Sequence, residues 1–151
     1  MTASRESIAI ALLALFRATP GGFITIGRRH IMPPALTPPQ QPALFVTFTS
    51  EDVRQALPTT PGRATLEATL IVYCQGPGTD EAPGSETALA ETTLNGLLAD
   101  IEAALAPDSD GDAQTLGGLV SRCWIEGTLY KDPGILANQA MAMVPVRMLV
   151  P

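Results

Sequence analysis

The stretch from Arg63 to Gln75 (RATLEATLIVYCQ) alternates with a period of two. Leu66, Ala68, Leu70 and Val72 fall on one side of it, and Thr65, Glu67 and Thr69 on the other. That pattern predicts a β-strand with one face buried and one face turned to water. A sheet built on such a strand needs cover on its apolar face, and two segments of helical period offer it. Ile8, Ala11, Leu12 and Leu15 form one stripe; Ala90, Leu94, Leu97, Ile101 and Leu105 form the other, which Asn95-Gly96 weakens.

The remaining segments fall into place around this frame. Ser4 is set to cap the first helix, with Glu6 near the positive end of its dipole. Ile10, Leu13 and Phe16 lie largely off the stripe, so this helix must cover a sheet and one further neighbour, either the second helix or an adjacent subunit. Thr19-Pro20-Gly21-Gly22 stops it. Phe23 to Arg29 (FITIGRR) reads as a strand with Gly27 as a possible bulge, and Leu44 to Thr49 (LFVTFT) as the next. Between them, His30 to Pro42 holds five prolines, which predicts stiff, extended backbone offering Ile31, Met32 and Leu36. Glu51 to Gly62, with Pro58 and Pro61, reads as a second turn-rich connection, and Gly76 to Gly84 as a surface loop. Ser85 and Glu86 begin the second helix; Pro107 and the acidic run Asp108 to Asp112 end it. Leu119 to Tyr130 and Ala140 to Val150 are the closing strands, joined through Asp132-Pro133-Gly134. The expected architecture is α+β, a single domain over residues 1–151 in the order α-β-β-β-α-β-β. Its sheet is mostly antiparallel or mixed, with two helices packed on one face.

Hydrophobic residues make up 46% and charged residues 16%, with a mean hydropathy of +0.21. A larger core accounts for such a composition, and so does apolar surface hidden against other subunits. The net charge of −6 argues against a protein that clamps nucleic acid through many phosphate contacts, but not against one that encircles DNA and lets it slide. The run Ile8 to Phe16 is too short to span a bilayer and lacks a signal-peptidase pattern, so it reads as a structural, cytoplasmic helix, with no membrane partner. Cys74 and Cys123 are far apart, lack a CxxC pattern and read as buried free thiols.

No arrangement of reagents stands out. Asp108, Asp110 and Asp112 imitate the start of a calcium loop, but Leu119 stands where a bidentate glutamate is required and Ala113 where glycine is usual, so the segment reads as a solvated acidic turn. His30 is the single histidine and enters a proline-rich loop; it reads as a surface or capping residue. Gly21-Gly22 and Gly117-Gly118 match no phosphate-loop pattern. Arg28 and Arg29 with His30 make the one concentrated positive patch, which meets an acidic neighbour across a subunit interface or sits in water at a strand end. Met141, Met143 and Met148 read as core or packing residues, with Met141 and Met143 facing a partner as the alternative. Trp124 reads as buried, with a subunit contact as its alternative. The expectation is a non-enzyme with no catalytic residue, cofactor or metal. Its interface candidates are Ile10, Leu13, Phe16, Arg28, Arg29, Ile31, Met32, Leu36, Leu57, Met141 and Met143.

In size and element order the chain resembles the tail terminator proteins of long-tailed bacteriophages. The resemblance is carried by the first helix (RESIAIALLALF), the strand after the irregular loop (PALFVTFTSE) and the long alternating strand (RATLEATLIVYCQ). The second helix (ALAETTLNGLLADIEAAL) and the late strands (LVSRCWIEGTLYKD and QAMAMVPVRMLV) extend it over nearly the whole chain. It implies a hexameric ring that caps the tail tube, stops its polymerisation and offers a surface for head-tail joining. It implies the tube protein and a head-completion or connector protein as partners, and DNA passing through the ring without sequence-specific binding. The place implied is the tail-neck region of the virion, with assembly in the host cytoplasm. Other head-tail connectors, a small-molecule-binding domain and a strand-adding peptide adaptor are the rival readings.

Overall fold

The computed structural model describes residues 3–19, 22–60, 62–76, 90–108, 111–134 and 139–151. The alternating segment is strand β3 (Arg63–Gln75), with the expected ends. Its even-numbered residues from Ala64 to Cys74 are buried, and the odd-numbered ones up to Ile71 are half-buried or exposed. Around it run α1 (Arg5–Ala18), β1 (Thr25–Gly27), β2 (Ala43–Arg54), α2 (Ala90–Ala104), β4 (Arg122–Ile125), β5 (Tyr130–Asp132) and β6 (Gln139–Val150). The strands form a six-stranded sheet in the order β1-β2-β3-β6-β4, with β5 also on β6. Only β1 and β2 run parallel, so the sheet is mixed and the fold α+β.

Both helices cover one face. Leu94, Leu97, Leu98 and Ile101 of α2 meet Leu70 and Val72 of β3 and Val144 and Val146 of β6 in the main core. Ser4 caps α1 as expected, accepting the Ser7 amide at 3.0 Å. Thr19 ends the helix; both its amide and its hydroxyl donate to the Leu15 carbonyl. Pro20, Gly21, Ser85 and Glu86, to which stop and start signals were assigned, lie outside the described residues, as does most of the expected loop from Gly76 to Gly84.

Several expectations are corrected. Leu13 and Phe16 are interior rather than interface residues: they are 7% and 2% exposed, because the further neighbour of α1 is the second helix, and Ile8, Ala9, Leu12, Leu13 and Phe16 form one wide stripe that packs on the sheet and α2. Ile10 alone of the off-stripe residues is exposed, at 58%. The segment Glu51–Arg54 is not a turn but the end of β2. A bulge at Thr49 adds one residue against β3, so Ser50 and not Thr49 stands opposite Glu67. That reverses the parity of everything after it and disguises the strand's period in the sequence. Gly27 is no bulge; it pairs in register with Phe45.

The proline-rich connection is not extended throughout. Pro33–Ala35 and Pro38–Gln40 each make a single 3-10 turn, the second closed by reciprocal Thr37 and Gln40 bonds. The segment expected as one strand from Leu119 to Tyr130 is split into β4 and β5. Gly127 has φ +129, and a Cβ there would come within 3.0 Å of the Pro145 ring, so the break requires glycine. The turn at Asp132-Pro133-Gly134 is present, with the Gly134 amide donating to the Asp132 carboxylate.

Candidate interface surfaces

The second face of the sheet carries no helix among the described residues and divides into two regions. At the β1 end, the proline-rich segment folds back and buries Leu36 against Ala43, Phe45 and Tyr73, with Ile31 and Met141 packed alongside. His30 belongs to this cluster. Its Nε2 lies 2.8 Å from the Tyr73 hydroxyl, and its ring stacks on Tyr73 at 5.6 Å. It is therefore not a free surface residue. Leu36, expected to be offered outward, is core to this small cluster because the 3-10 turns bring it back onto the sheet.

The other region is a polar ladder. Register places Ser50, Glu67, Arg147 and Trp124 in one row across β2, β3, β6 and β4, all on the open face. The Ser50 hydroxyl meets one Glu67 oxygen, and Arg147 reaches the other at 2.9 Å. Arg147 also reaches Glu126 at 3.0 Å; the Trp124 indole N–H donates to that same carboxylate, and Arg122 lies over the indole at 4.9 Å. Trp124 is thus half-buried in a surface network rather than buried in the core. Sequence reasoning recovered Glu67 as outward-facing but missed the ladder, since the partners come from strands far apart in the chain.

Beyond this row, the β2–β3 tip curls over the open face. It bounds a groove of about 1100 Å³ whose lining includes Arg54, Arg63, Glu67, Arg147 and Leu149. Arg54 and Arg63 stand directly opposite in register; Arg54 is paired with Asp52 at 3.1 Å, whereas Arg63 has no carboxylate partner among the described residues. A second groove of about 370 Å³ runs beside the β2 edge. Two ion pairs flank it: Arg5 with Glu51 and Arg28 with Glu6, the latter at 2.8 Å. The Arg5 guanidinium, by hydrogen bonding, holds the Glu51 carboxyl below its ordinary range.

The residues read as interface candidates are therefore not one patch. Ile10, Met32 and Leu57 are exposed at 58%, 61% and 60%, on α1, the proline-rich segment and the β2–β3 tip. Arg29 is exposed, Arg28 is tied to Glu6, Met143 is exposed on β6, and Ile31 and Met141 are half-buried. Leu13, Phe16 and Leu36 are interior.

Burial pushes the Cys74 thiol up to about 11 and the Cys123 thiol up to about 12. Asp108, the first of the calcium-like aspartates, accepts both the amide and the hydroxyl of Thr115, while Asp110 lies outside the described residues. Among the described residues no group of three or more His, Cys, Asp or Glu is placed to hold a metal ion. No described helix is long and apolar enough to cross a membrane.

No protein-family model matches the chain, and no curated protein matches it in sequence. Among solved structures, it is similar to a chain from the virion of a native gene transfer agent particle. The two superpose with a TM-score of 0.50 at 17% identity, over 98% of this chain and 94% of the other. What the two chains share is the fold, nearly end to end.

Proposed function

We propose that this chain is a structural virion protein that assembles as a hexameric ring on the end of a phage tail tube. There it stops tube polymerisation and forms the surface to which the head joins. The observation that carries this reading is the end-to-end likeness of fold to a gene transfer agent virion chain.

The surfaces fit such a part. A terminator has to match the last ring of the tube on one side and offer no further tube-like surface on the other. Contacts of that kind need exposed apolar side chains on stiff supports. Met32 at the start of the first 3-10 turn and Leu57 at the hairpin tip supply them at low cost in ordering. The net charge of −6 suits a ring whose hole lets DNA slide rather than bind, since phosphates are repelled. The ring acts by shape and contact, with no catalysis and no cofactor, at the tail-neck junction of the virion.

Another head-tail connector of similar fold is the second reading. Incubating the protein with isolated tail tubes and with portal-capped heads separates the two. Sedimentation with tubes alone is expected; binding to heads and not to tubes assigns the chain to the connector side.

A further inference from the structure

Charge is divided between the two sides of the sheet. From the Glu67 row outward, the open face carries Arg54, Arg63, Arg122 and Arg147 against Asp52, Glu67 and Glu126, a balance of +1 in a chain of −6. Arg54 and Arg147 are answered within the face, the first by Asp52 and the second by Glu67 and Glu126. Arg63 and Arg122 meet no carboxylate among the described residues; Arg63 lines the groove of about 1100 Å³, and Arg122 lies over Trp124. The helix layer is the reverse. α2 carries Glu91, Asp100 and Glu102 and no basic residue, and none of the three has a cationic partner among the described residues. Lys131 reaches this helix but bonds Asn95.

We infer that the open face of one copy docks on the exposed side of α2 in the next copy, with Arg63 and Arg122 meeting Glu91 and Glu102. The spacings match. Glu91 and Glu102 are exposed and stand three turns apart on one line of α2, about 17 Å by helix rise. Arg63 and Arg122 stand two strands across and two residues along the sheet, about 12 Å by strand spacing and rise. The reach of the arginine side chains covers the difference. Between the arginines lies Leu149, 36% exposed and in register with both Thr65 and Arg122. Between the glutamates lies Ala99, also exposed. A small apolar centre is thus flanked by unlike charges, which fix the register of the contact. The two surfaces lie on opposite sides of one sheet, so the contact is head-to-tail. Such a contact closes into a cyclic ring when its rotation allows.

This inference rests on the ring of the proposed function and names the seam between its subunits. The test is a two-cysteine chain, Thr65→Cys with Ala99→Cys, treated with a short bis-maleimide in the presence of isolated tail tubes. Thr65 lines the open-face groove, Ala99 is exposed on α2, and the native Cys74 and Cys123 are buried. The expected result is a ladder of covalent oligomers from the pair and monomer from either single variant, because a head-to-tail seam joins one site of each kind. In the same background, Arg63→Glu with Arg122→Glu, and separately Glu91→Arg with Glu102→Arg, should each lower the ladder's yield about tenfold or more. Mixing the two reversed chains should restore it, since alternating copies then oppose unlike charges at every seam. A pair that gives no ladder overturns the inference, and so do reversals that leave the yield unchanged. Capping of the tubes by the unaltered chain is scored alongside. Capped tubes without a ladder remove the seam and leave the tail reading standing; a ladder without capping does the converse.

Discussion

Glu67 on β3 and Arg147 on β6 face each other directly in register and close at 2.9 Å, at the middle of the open face. Each is also bound elsewhere, Glu67 to Ser50 and Arg147 to Glu126, so the pair ties together strands from both halves of the chain. Both side chains are well exposed. Solvent screening therefore keeps the pair's contribution small, at about 0.2–1 kcal/mol. A double-mutant cycle with Glu67→Gln and Arg147→Met, followed by urea unfolding, should give a coupling energy in that range that shrinks at high salt.

The interior positions on α1 predict a sharp contrast. Leu13→Ala and Phe16→Ala remove side chains packed in the main core and should each cost about 2–5 kcal/mol of unfolding free energy. Ile10→Ala, on the outward side of the same helix, should change it by no more than about 0.5 kcal/mol. Denaturant midpoints of the purified variants check both.

Gly127→Ala tests the break between β4 and β5. The backbone at φ +129 and the Pro145 ring 3.0 Å from the added Cβ both oppose a side chain. A loss of about 1–3 kcal/mol is expected, with the thermal midpoint lowered accordingly.

The two buried thiols make stability fall at alkaline pH. Burial raises Cys74 to about 11 and Cys123 to about 12 from an ordinary value of 9.0. Below that ordinary value both states hold their protons and stability is unaffected. Above it the unfolded chain ionises first, so unfolding free energy should fall as pH rises from about 9 toward 12. Cys123→Ala should flatten that slope in urea titrations at stepped pH.

The fold was legible where one period governs a segment. β3, β6 and α2 are read correctly from Leu66–Val72, Ala140–Val150 and Ala90–Leu105, because each buries one face against a single layer. β2 was read too short because the Thr49 bulge shifts its parity, so the charged Glu51, Asp52 and Arg54 look like a turn. Leu13 and Phe16 stood off the stripe with either the second helix or another subunit as their neighbour, and the helix is what they meet, because the stripe of α1 is wider than one residue per turn. The candidate surfaces were least legible. The Ser50–Glu67–Arg147–Trp124 row exists only through strand register, and Leu36 and His30 reach their places through 3-10 turns and tertiary contact with Tyr73.

Electron microscopy of tail tubes grown with and without this protein tests the central claim most directly. Tubes assembled in its presence should stop at a defined length, carry a six-fold ring of the protein at one end, and fail to extend when fresh tube protein is added. Tubes that continue to lengthen, with no added density at either end, would contradict it.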